Sequence, residues 1–312
     1  MKYTELFEVE DLLTSCGLDV NAVAQILADA LEEDLGGRGL LPPGSAGVDV
    51  TSVATIPVDA LASAQLVARA GGTLAGLPVA AYTLARVCGT DWPFDIELHR
   101  ADGDAIRPGD VLLNVTGNAQ ALLRAERVAL NLLTLMSGVA TVTSAWVKAL
   151  ADTNTRVRDT RKTVPGLRLL QKYAVRVGGG VNHRMSLADS ALIKDNHAIA
   201  AGGVVEAFRA VRSAYPDLSV QVEVTSSEQA RAVVSAGASD VLLDNMTIEE
   251  MRAVVSELGS AARFEASGGL TLAEAAAVAR TGVDYVAVGA ITHSAPVLDI
   301  ALDFLSNVPN VG

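Results

Sequence analysis

From about residue 150 onward the chain repeats one pattern, a short apolar run, a polar or glycine-rich turn and then a helical stretch. The predicted strands are RVRDT (156–160), SALIKDN (190–196), VQVEV (220–224), DVLLDN (240–245), RFEASGG (263–269) and DYVAVGA (284–290). Helices are predicted at about 199–215, 226–236, 247–258 and 271–281. This alternation predicts right-handed crossovers and a parallel sheet, hence an α/β fold. A barrel is favoured over an open sheet because each strand ends in a different reactive residue. Six strands fall short of the usual eight, so the barrel is incomplete or has a further strand near residues 180–185.

The first half of the chain has a different pattern. Residues 19–34 show helical spacing of apolar side chains, and Gly36 and Gly37 supply the stop. Between 55 and 117 short alternating runs are punctuated by glycine, with a helix near 76–88, which predicts a mainly antiparallel sheet. A long helix begins near Ala119 and is a natural bridge between two domains.

The charge of the chain is distributed unevenly. The formal net charge is −12, which argues against nucleic-acid binding, because phosphate backbones require compensating cations. Between Arg156 and Lys194, however, lie nine of the 24 basic residues and only two acids, so this segment is 9 − 2 = +7. A basic segment in an acidic protein predicts a pocket for a small anionic ligand.

Membrane insertion and disulfide bonding are both disfavoured. Residues 128–147 carry no charge and are long enough to span a bilayer, but Asn131, Ser137 and Gly138 within them favour a buried helix. The N-terminus lacks the pattern of a signal peptide, so a cytoplasmic location is expected. The two cysteines are too few for a disulfide framework and show no metal-ligand spacing.

The predicted strand ends carry the chemistry, since barrel enzymes place their reactive groups there. The residues at these ends are Arg161 with Lys162, Lys194, Glu223, Asp244, Ser267 with Gly268 and Gly269, and Gly289. Glu223 and Asp244 end apolar strands, and such facing carboxylates suit Mg²⁺, held directly or through water, or a positive charge developing on a ribose carbon. The alternative is a structural ion pair with Lys194 or Lys162.

The glycine turns after the last two strands predict a phosphate site, because backbone N–H groups converge there. The alternative for Ser267, Gly268, Gly269 and Gly289 is an ordinary tight turn. Arg161, Lys162, His183 and Arg184 are candidates to clamp carboxylates. Arg127 lies next to Glu126, so a helix-surface ion pair is its alternative role, and His99 and His293 are expected to be structural.

Several common catalytic motifs are missing from the sequence. There is no GxxxxGK[ST], HExxH, GxSxG or isolated GxGxxG. Kinase-like, zinc-protease, serine-hydrolase and dinucleotide-binding functions therefore lose their usual support.

The residues resemble those of bacterial quinolinate phosphoribosyltransferase, also called carboxylating nicotinate-nucleotide pyrophosphorylase. The resemblance covers nearly the whole chain. It is carried by ALEEDLG (30–36), RAERVALNLLTLMSGVAT (124–141), DTRKTVPGLRLLQKYAVRVGGGVNHRMSLADSALIKDNH (159–197), VEV (222–224), LLDNM (242–246), EASGG (265–269) and VGAITHSAP (288–296). It implies an N-terminal α/β sandwich at 1–128, a seven-stranded α/β barrel at 129–296, and a segment at 297–312 that returns to the N-terminal domain. One departure is the loop after residue 36, which is longer here.

The resemblance also implies a reaction and a set of roles. Quinolinate and phosphoribosyl pyrophosphate would give nicotinate mononucleotide, pyrophosphate and CO2 in de novo NAD biosynthesis. Arg161, Lys162, His183 and Arg184 would hold the quinolinate carboxylates, and Arg127 would reach in from the partner subunit of a homodimer. Lys194, Glu223 and Asp244 would border phosphoribosyl pyrophosphate and its Mg²⁺, and the turns at Ser267–Gly269 and Gly289 would take the 5-phosphate.

Three alternatives stay open at this point. A relative of the same fold could act on another acceptor, such as a protein of molybdenum utilisation or a nicotinate-using transferase. A barrel lyase could use Lys194 as a Schiff-base amine, provided that the amine is desolvated. A non-catalytic sugar-phosphate or anion-binding protein is the third.

Overall fold

The computed structural model describes residues 1–41, 47–89 and 91–305. The elements of the first half are β1 Lys2–Tyr3, α1 Leu6–Ser15, α2 Val20–Asp34, α3 Val50–Thr55, β2 Leu61–Ala68, β3 Gly72–Thr73, α4 Leu77–Cys88, β4 Asp95–Leu98, β5 Ala105–Ile106, β6 Val111–Asn118 and α5 Ala119–Ala149. Those of the second half are β7 Arg156–Arg158, α6 Arg168–Val177, β8 Ala191–Ile193, α7 Asp195–Ala201, α8 Val204–Ala214, β9 Val220–Val224, α9 Ser227–Ser235, β10 Asp240–Asp244, α10 Ile248–Leu258, β11 Arg263–Ser267, α11 Ala275–Ala279, β12 Tyr285–Ala287, α12 Ala290–His293 and β13 Ile300–Phe304. The predicted helices at 19–34 and 76–88 are confirmed as α2 and α4.

The chain divides into two compact units. Unit one comprises residues 1–141, 169–178 and 295–312, and unit two comprises residues 142–168 and 179–294. The boundary at 141/142 falls inside α5, and α6 belongs to unit one, so these units differ from the predicted boundaries at 128/129 and 296/297. Residues 42–46 of the long N-terminal loop and residues 306–312 of the C-terminal segment lie outside the described part of the chain.

Unit one contains a five-stranded antiparallel sheet in the order β1-β4-β6-β2-β13. The last strand, β13, pairs with β2 from Ile300↔Ala68 to Phe304↔Ala64, so the end of the described chain returns to this sheet. Helix α4 supplies much of the core, because nearly all of its residues are buried.

The apolar stretch in α5 contains polar and small residues that have specific partners in unit one. Ser137 Oγ accepts from the N–H of Ala75 at 3.1 Å and donates to its carbonyl at 3.0 Å. A Cβ atom on Gly138 would lie 2.1 Å from the carbonyl oxygen of Pro296, so only glycine allows this close approach. By length and composition, α5 is the one helix among the described residues that could cross a membrane, and 61% of its most apolar window is buried in the protein.

Unit two contains a six-stranded parallel sheet in the order β7-β12-β11-β10-β9-β8. All six predicted strands are present. Val181 forms a one-residue parallel bridge with Arg158 in the segment where the sequence predicts a further strand. The predicted class, an α/β barrel unit together with a unit built on an antiparallel sheet, is confirmed.

Side-chain alternation divides each strand of unit two into two faces. On β9, Val220, Val222 and Val224 are buried on one face, whereas Gln221 and Glu223 lie on the other. Gln221 and Glu223 therefore share the face of the sheet that is opposite to the buried valines. Helices α9 and α10, which follow β9 and β10, begin at side-chain caps, because Ser226 and Thr247 each accept a backbone N–H of the first helical turn.

Candidate active site

The C-terminal ends of the parallel strands surround a cavity of about 770 Å³ in unit two. Strand register places Glu223 opposite Leu242 and Asp244 opposite Ser267, so their side chains rise to the same edge of the sheet. Eleven of the twelve predicted site residues line this cavity, namely Arg161, Lys162, His183, Arg184, Lys194, Glu223, Asp244, Ser267, Gly268, Gly269 and Gly289.

Two carboxylates and one ammonium group occupy neighbouring strand ends. Nζ of Lys194 lies 3.5 Å from Oε2 of Glu223. Burial raises the pKa of Glu223, the Lys194 ammonium lowers it, and the charge of Asp244 raises it again. Asp244 accepts a hydrogen bond of 2.7 Å from the Asn245 amide. The carboxylate of Glu223 therefore forms the ion pair with Lys194 that was given as its structural alternative, and the same carboxylate lines the cavity.

Arg161 and Arg184 form a concentration of positive charge. Burial, followed by the positive charge of Arg161, lowers the pKa of Arg184. Nη1 of Arg184 donates to the carbonyl of Ser190 at 3.0 Å, whereas Nε of Arg161 is buried without a hydrogen-bond partner. Two arginines that line one cavity, with one buried donor unsatisfied, favour the binding of an anion with several oxygens.

His183 lines the cavity, but both of its ring nitrogens have protein partners. Nδ1 accepts from the backbone N–H of Arg184 at 2.8 Å, and Nε2 lies 2.7 Å from Oε1 of Gln221. In this conformation the ring has no spare N–H for the carboxylate contact that the family resemblance implies.

The predicted glycine turns are tight for steric reasons. Gly268 has φ +105°, and a Cβ atom there would lie 2.3 Å from Oδ1 and 2.7 Å from the backbone nitrogen of Asn245. At Gly289 a Cβ atom would lie 3.0 Å from Cδ of Lys162, so the lysine stem runs across this glycine. The turns therefore bring backbone close to the cavity, as a phosphate site requires.

Arg127 is the one predicted site residue that does not belong to unit two. It lies on the part of α5 that belongs to unit one, and its side chain is 66% exposed. Nη2 lies 2.9 Å from Oε1 of Glu126, which is the surface ion pair given as its alternative.

Sequence reasoning missed several residues of the cavity. Thr160, Glu265, Asn245 and His293 all line it, although His293 is expected from the sequence to be structural. Glu265 interrupts the apolar strand RFEAS in the same way that Glu223 interrupts VQVEV, so the signal was present. No comparable signal marks His293, which lies at the end of α12, after β12.

A preformed metal centre is not visible in the described ranges. No group of three or more His, Cys, Asp or Glu side chains there could hold a metal ion. Glu223 and Asp244 nevertheless fit Mg²⁺, which is commonly bound through one or two carboxylates together with substrate oxygens.

These features define the class of protein as a barrel enzyme whose strand-end pocket takes a polyanionic substrate. Comparisons with known proteins agree with that class. A family model described as the C-terminal domain of quinolinate phosphoribosyl transferase matches residues 139–303, and one described as its N-terminal domain matches residues 49–137.

Individual relatives give the same result over nearly the full chain. The carboxylating nicotinate-nucleotide pyrophosphorylase of Mycobacterium leprae is 47% identical, over 94% of this chain and 100% of its own length. The probable enzyme of that name from Bacillus subtilis is 41% identical, over 78% of this chain and 84% of its own. The crystal structure of NadC from Streptococcus pyogenes has a TM-score of 0.84 at 36% identity, covering 93% of this chain and 99% of that one.

This chain therefore belongs to the quinolinate phosphoribosyltransferase family. It is an enzyme of the pentosyltransferase class, which disfavours the lyase and non-catalytic alternatives. The Schiff-base alternative also fails on geometry, since Lys194 is 48% exposed and ion-paired rather than desolvated.

Proposed function

We propose that the strand-end cavity of unit two is where this enzyme joins quinolinate to phosphoribosyl pyrophosphate, giving nicotinate mononucleotide, pyrophosphate and CO2. The observation that carries this proposal is the pair of Arg161 and Arg184 in the cavity lining. The Nε–H of Arg161 is buried without a hydrogen-bond partner in the protein, so an anion bound in the cavity would supply the missing acceptor. Quinolinate carries two adjacent carboxylates, and guanidinium groups bind carboxylates bidentately with fixed geometry.

The two substrates are assigned to different sides of the cavity. Arg161, Arg184 and Lys162 hold the quinolinate carboxylates, and His183 contributes by supporting Arg184. Lys194, Glu223 and Asp244 border the pyrophosphate and ribose of the second substrate. The turns at Ser267–Gly269 and Gly289 take the 5-phosphate on backbone N–H groups.

The reaction requires a change of bonds at C1 of the ribose. The pyridine nitrogen of quinolinate forms a bond to C1 while the bond from C1 to pyrophosphate oxygen breaks, and the electron pair leaves with pyrophosphate. Positive charge develops on the ribose, and the carboxylates of Glu223 and Asp244 stabilise it electrostatically. The lysines stabilise the negative charge of the leaving group.

Decarboxylation uses the charge that the first step creates. The ring nitrogen becomes positive, so the carbon beside it accepts the electron pair of its bond to the carboxylate when CO2 leaves. A proton then replaces CO2 on that carbon. Clamping of both carboxylates by Arg161 and Arg184 keeps the ring oriented through both steps.

Mg²⁺ is part of this proposal. Glu223 and Asp244 are the residues that would hold it, and it would neutralise charge on the pyrophosphate oxygens.

The assay that tests the proposed reaction is incubation of purified protein with quinolinate, phosphoribosyl pyrophosphate and Mg²⁺. Formation of nicotinate mononucleotide and CO2 in equal amounts would support the proposal. Absence of product with protein that is shown to be folded would contradict it. Omitting Mg²⁺ in the presence of chelator tests the metal separately.

The homodimer with shared sites is a further part of the proposal. It is supported by the exposure of Arg127, whose guanidinium is available apart from its contact with Glu126. The sharpest test mixes two inactive variants, Arg127→Ala and Arg161→Ala. If sites are shared, a hybrid dimer has one site with both arginines intact, and random reassociation restores about a quarter of the activity. Absence of restored activity, with hybrid dimers shown by mass, contradicts sharing.

The cytoplasmic location expected from the sequence stays a prediction. Cell fractionation with an antibody to the protein tests it, because membrane association would move the signal to the pellet.

A further inference from the structure

A second polar layer lies beneath the strand ends of unit two. Glu265 and Gln221 each precede a strand-end residue, Ser267 or Glu223, by two positions, so they point to the same side of the sheet one layer deeper. Both are buried, at 1% and 6% exposure. Deep layers of α/β barrels are usually filled by branched apolar side chains, so buried polar residues in this position call for a physical role.

These buried groups form one hydrogen-bonded chain. Oε2 of Glu265 accepts from Nη1 of Arg158 at 2.7 Å and from Nε2 of Gln221 at 2.9 Å. Oε1 of Gln221 then lies 2.7 Å from Nε2 of His183. The chain therefore links β7, β11 and β9 to the segment that follows the Val181 bridge.

The chain determines the tautomer of His183. The amide nitrogen of Gln221 donates to Glu265, so the amide oxygen faces the imidazole, and Nε2 of His183 must carry the hydrogen. On the other side of the ring, Nδ1 accepts from the backbone N–H of Arg184. His183 is thus held as the neutral Nε2–H tautomer.

Glu265 contributes a negative charge as well as a hydrogen-bond acceptor. Its Oε1 is buried without a hydrogen-bond partner and lies 4.0 Å from Nε2 of His183. A negative oxygen at this distance favours a hydrogen on Nε2 over one on Nδ1. The charge and the hydrogen-bond chain therefore select the same tautomer.

The selected tautomer bears directly on the arginine cluster. With Nδ1 as acceptor, the imidazole fixes the backbone of Arg184, which lines the cavity together with Arg161. The backbone N–H of His183 and the Asn182 amide also donate to Asp159, at 2.7 and 2.6 Å, which fixes the segment from its other side. With hydrogen on Nδ1, two N–H groups would face each other and Arg184 would have to move.

We infer that Gln221 and Glu265 are positioning residues for the recognition of quinolinate, acting through the His183 tautomer to hold Arg184 in place. This inference rests on the proposed function of the cavity. It assigns His183 a supporting role through its two ring nitrogens.

The test combines spectroscopy with steady-state kinetics on the full-length enzyme. The protein has only four histidines, so ¹⁵N-histidine labelling gives resolvable imidazole signals, and a His183→Asn sample assigns the signal of interest. In the parent enzyme we expect the ¹⁵N pattern of the Nε2–H tautomer for His183. Gln221→Met removes both hydrogen bonds of the Gln221 side-chain amide, and we expect a mixture of His183 tautomers in this variant. We also expect its KM for quinolinate to rise about tenfold and its KM for phosphoribosyl pyrophosphate to change less than about twofold.

A second variant keeps the test decisive if Gln221→Met folds poorly. Glu265→Gln keeps an oxygen for Arg158 and Gln221 but removes the negative charge, and we expect a shift toward the Nδ1–H tautomer and a smaller rise in the quinolinate KM. The matched control is Gln229→Met on α9, an exposed glutamine of the same unit, which should change neither readout.

Three results would overturn the inference. The first is an Nδ1–H pattern for His183 in the parent enzyme. The second is a Gln221→Met enzyme that keeps the parent tautomer, and the third is a Gln221→Met enzyme in which the KM values for both substrates rise equally. Failure of the proposed function itself is a different result, since it shows as absence of product with the parent enzyme while the tautomer pattern is still measurable.

Discussion

Nζ of Lys194 lies 3.5 Å from Oε2 of Glu223, and the two residues end neighbouring strands of the parallel sheet. The ion pair is formed at the mouth of the cavity, where Lys194 is 48% exposed and Glu223 is 13% exposed. Because the ammonium group is half exposed, water screens the attraction and the pair contributes little to stability. Its position beside Asp244 is better explained by a role toward substrate.

The first prediction concerns Glu223. We expect Glu223→Gln to lower kcat/KM for phosphoribosyl pyrophosphate by about 100-fold or more, because the variant loses the carboxylate that we propose stabilises positive charge in the transition state. Steady-state kinetics measures the loss, and thermal unfolding should show little change in Tm. Glu228→Gln on α9 is the control, since its side chain is 81% exposed. A large fall in Tm with nearly normal turnover would support the structural ion pair instead.

The second prediction concerns Arg161. We expect Arg161→Ala to abolish measurable use of quinolinate, because Arg161 lines the cavity and its buried Nε–H has no partner in the protein. Arg161→Lys should recover only part of the activity, since an ammonium group keeps the charge but cannot bind a carboxylate bidentately. Binding of phosphoribosyl pyrophosphate, measured by calorimetry, should be retained in both variants. Near-normal turnover by purified Arg161→Ala would refute the assignment.

The third prediction compares two adjacent glycines. Gly268 has φ +105° and its added Cβ would meet backbone and side-chain atoms of Asn245, whereas Gly269 has φ +56° and open space around its Cβ position. Gly269→Ala should therefore cost about 1–2 kcal/mol of stability from the left-handed backbone alone. Gly268→Ala should cost more and should also raise the KM for phosphoribosyl pyrophosphate, because the turn that we propose binds its 5-phosphate must shift. Chemical denaturation and kinetics compare the two, and equal losses in both would count against the steric argument.

The fourth prediction concerns the cysteines. Cys88 is fully buried, and burial raises the pKa of its thiol to about 12, whereas Cys16 is partly exposed. Since the thiolate is the reactive form, only about one thousandth of Cys88 is reactive at pH 9 even before access is considered. We expect iodoacetamide to leave Cys88 of a Cys16→Ser variant unmodified between pH 7 and 9, as read by intact mass. Adding denaturant is the control, because it should make Cys88 react, and rapid alkylation of the folded variant would contradict the burial.

Much of the fold was predictable because local patterns and tertiary structure agree. The six strands of unit two are short apolar runs bounded by turns, and each is found where its pattern predicts it. The further strand near residues 180–185 was harder, since Val181 makes a bridge of a single residue and leaves no alternating pattern. The grouping of residues 169–178 with unit one was less accessible, because the flanking strands β7 and β8 belong to unit two and no local pattern marks the change.

The candidate site followed a similar division. Sequence alone determined which residue types end each strand and that a +7 segment lies in an acidic chain, because charge and periodicity are properties of the chain itself. Tertiary structure decided which groups touch. Only folding brings Gln221, Glu265 and His183 together from three separate segments, and only then can hydrogen bonds of 2.7 and 2.9 Å select one tautomer and leave Nε of Arg161 without a partner. Distances between segments far apart in the chain depend on strand register and burial, and no local pattern encodes them.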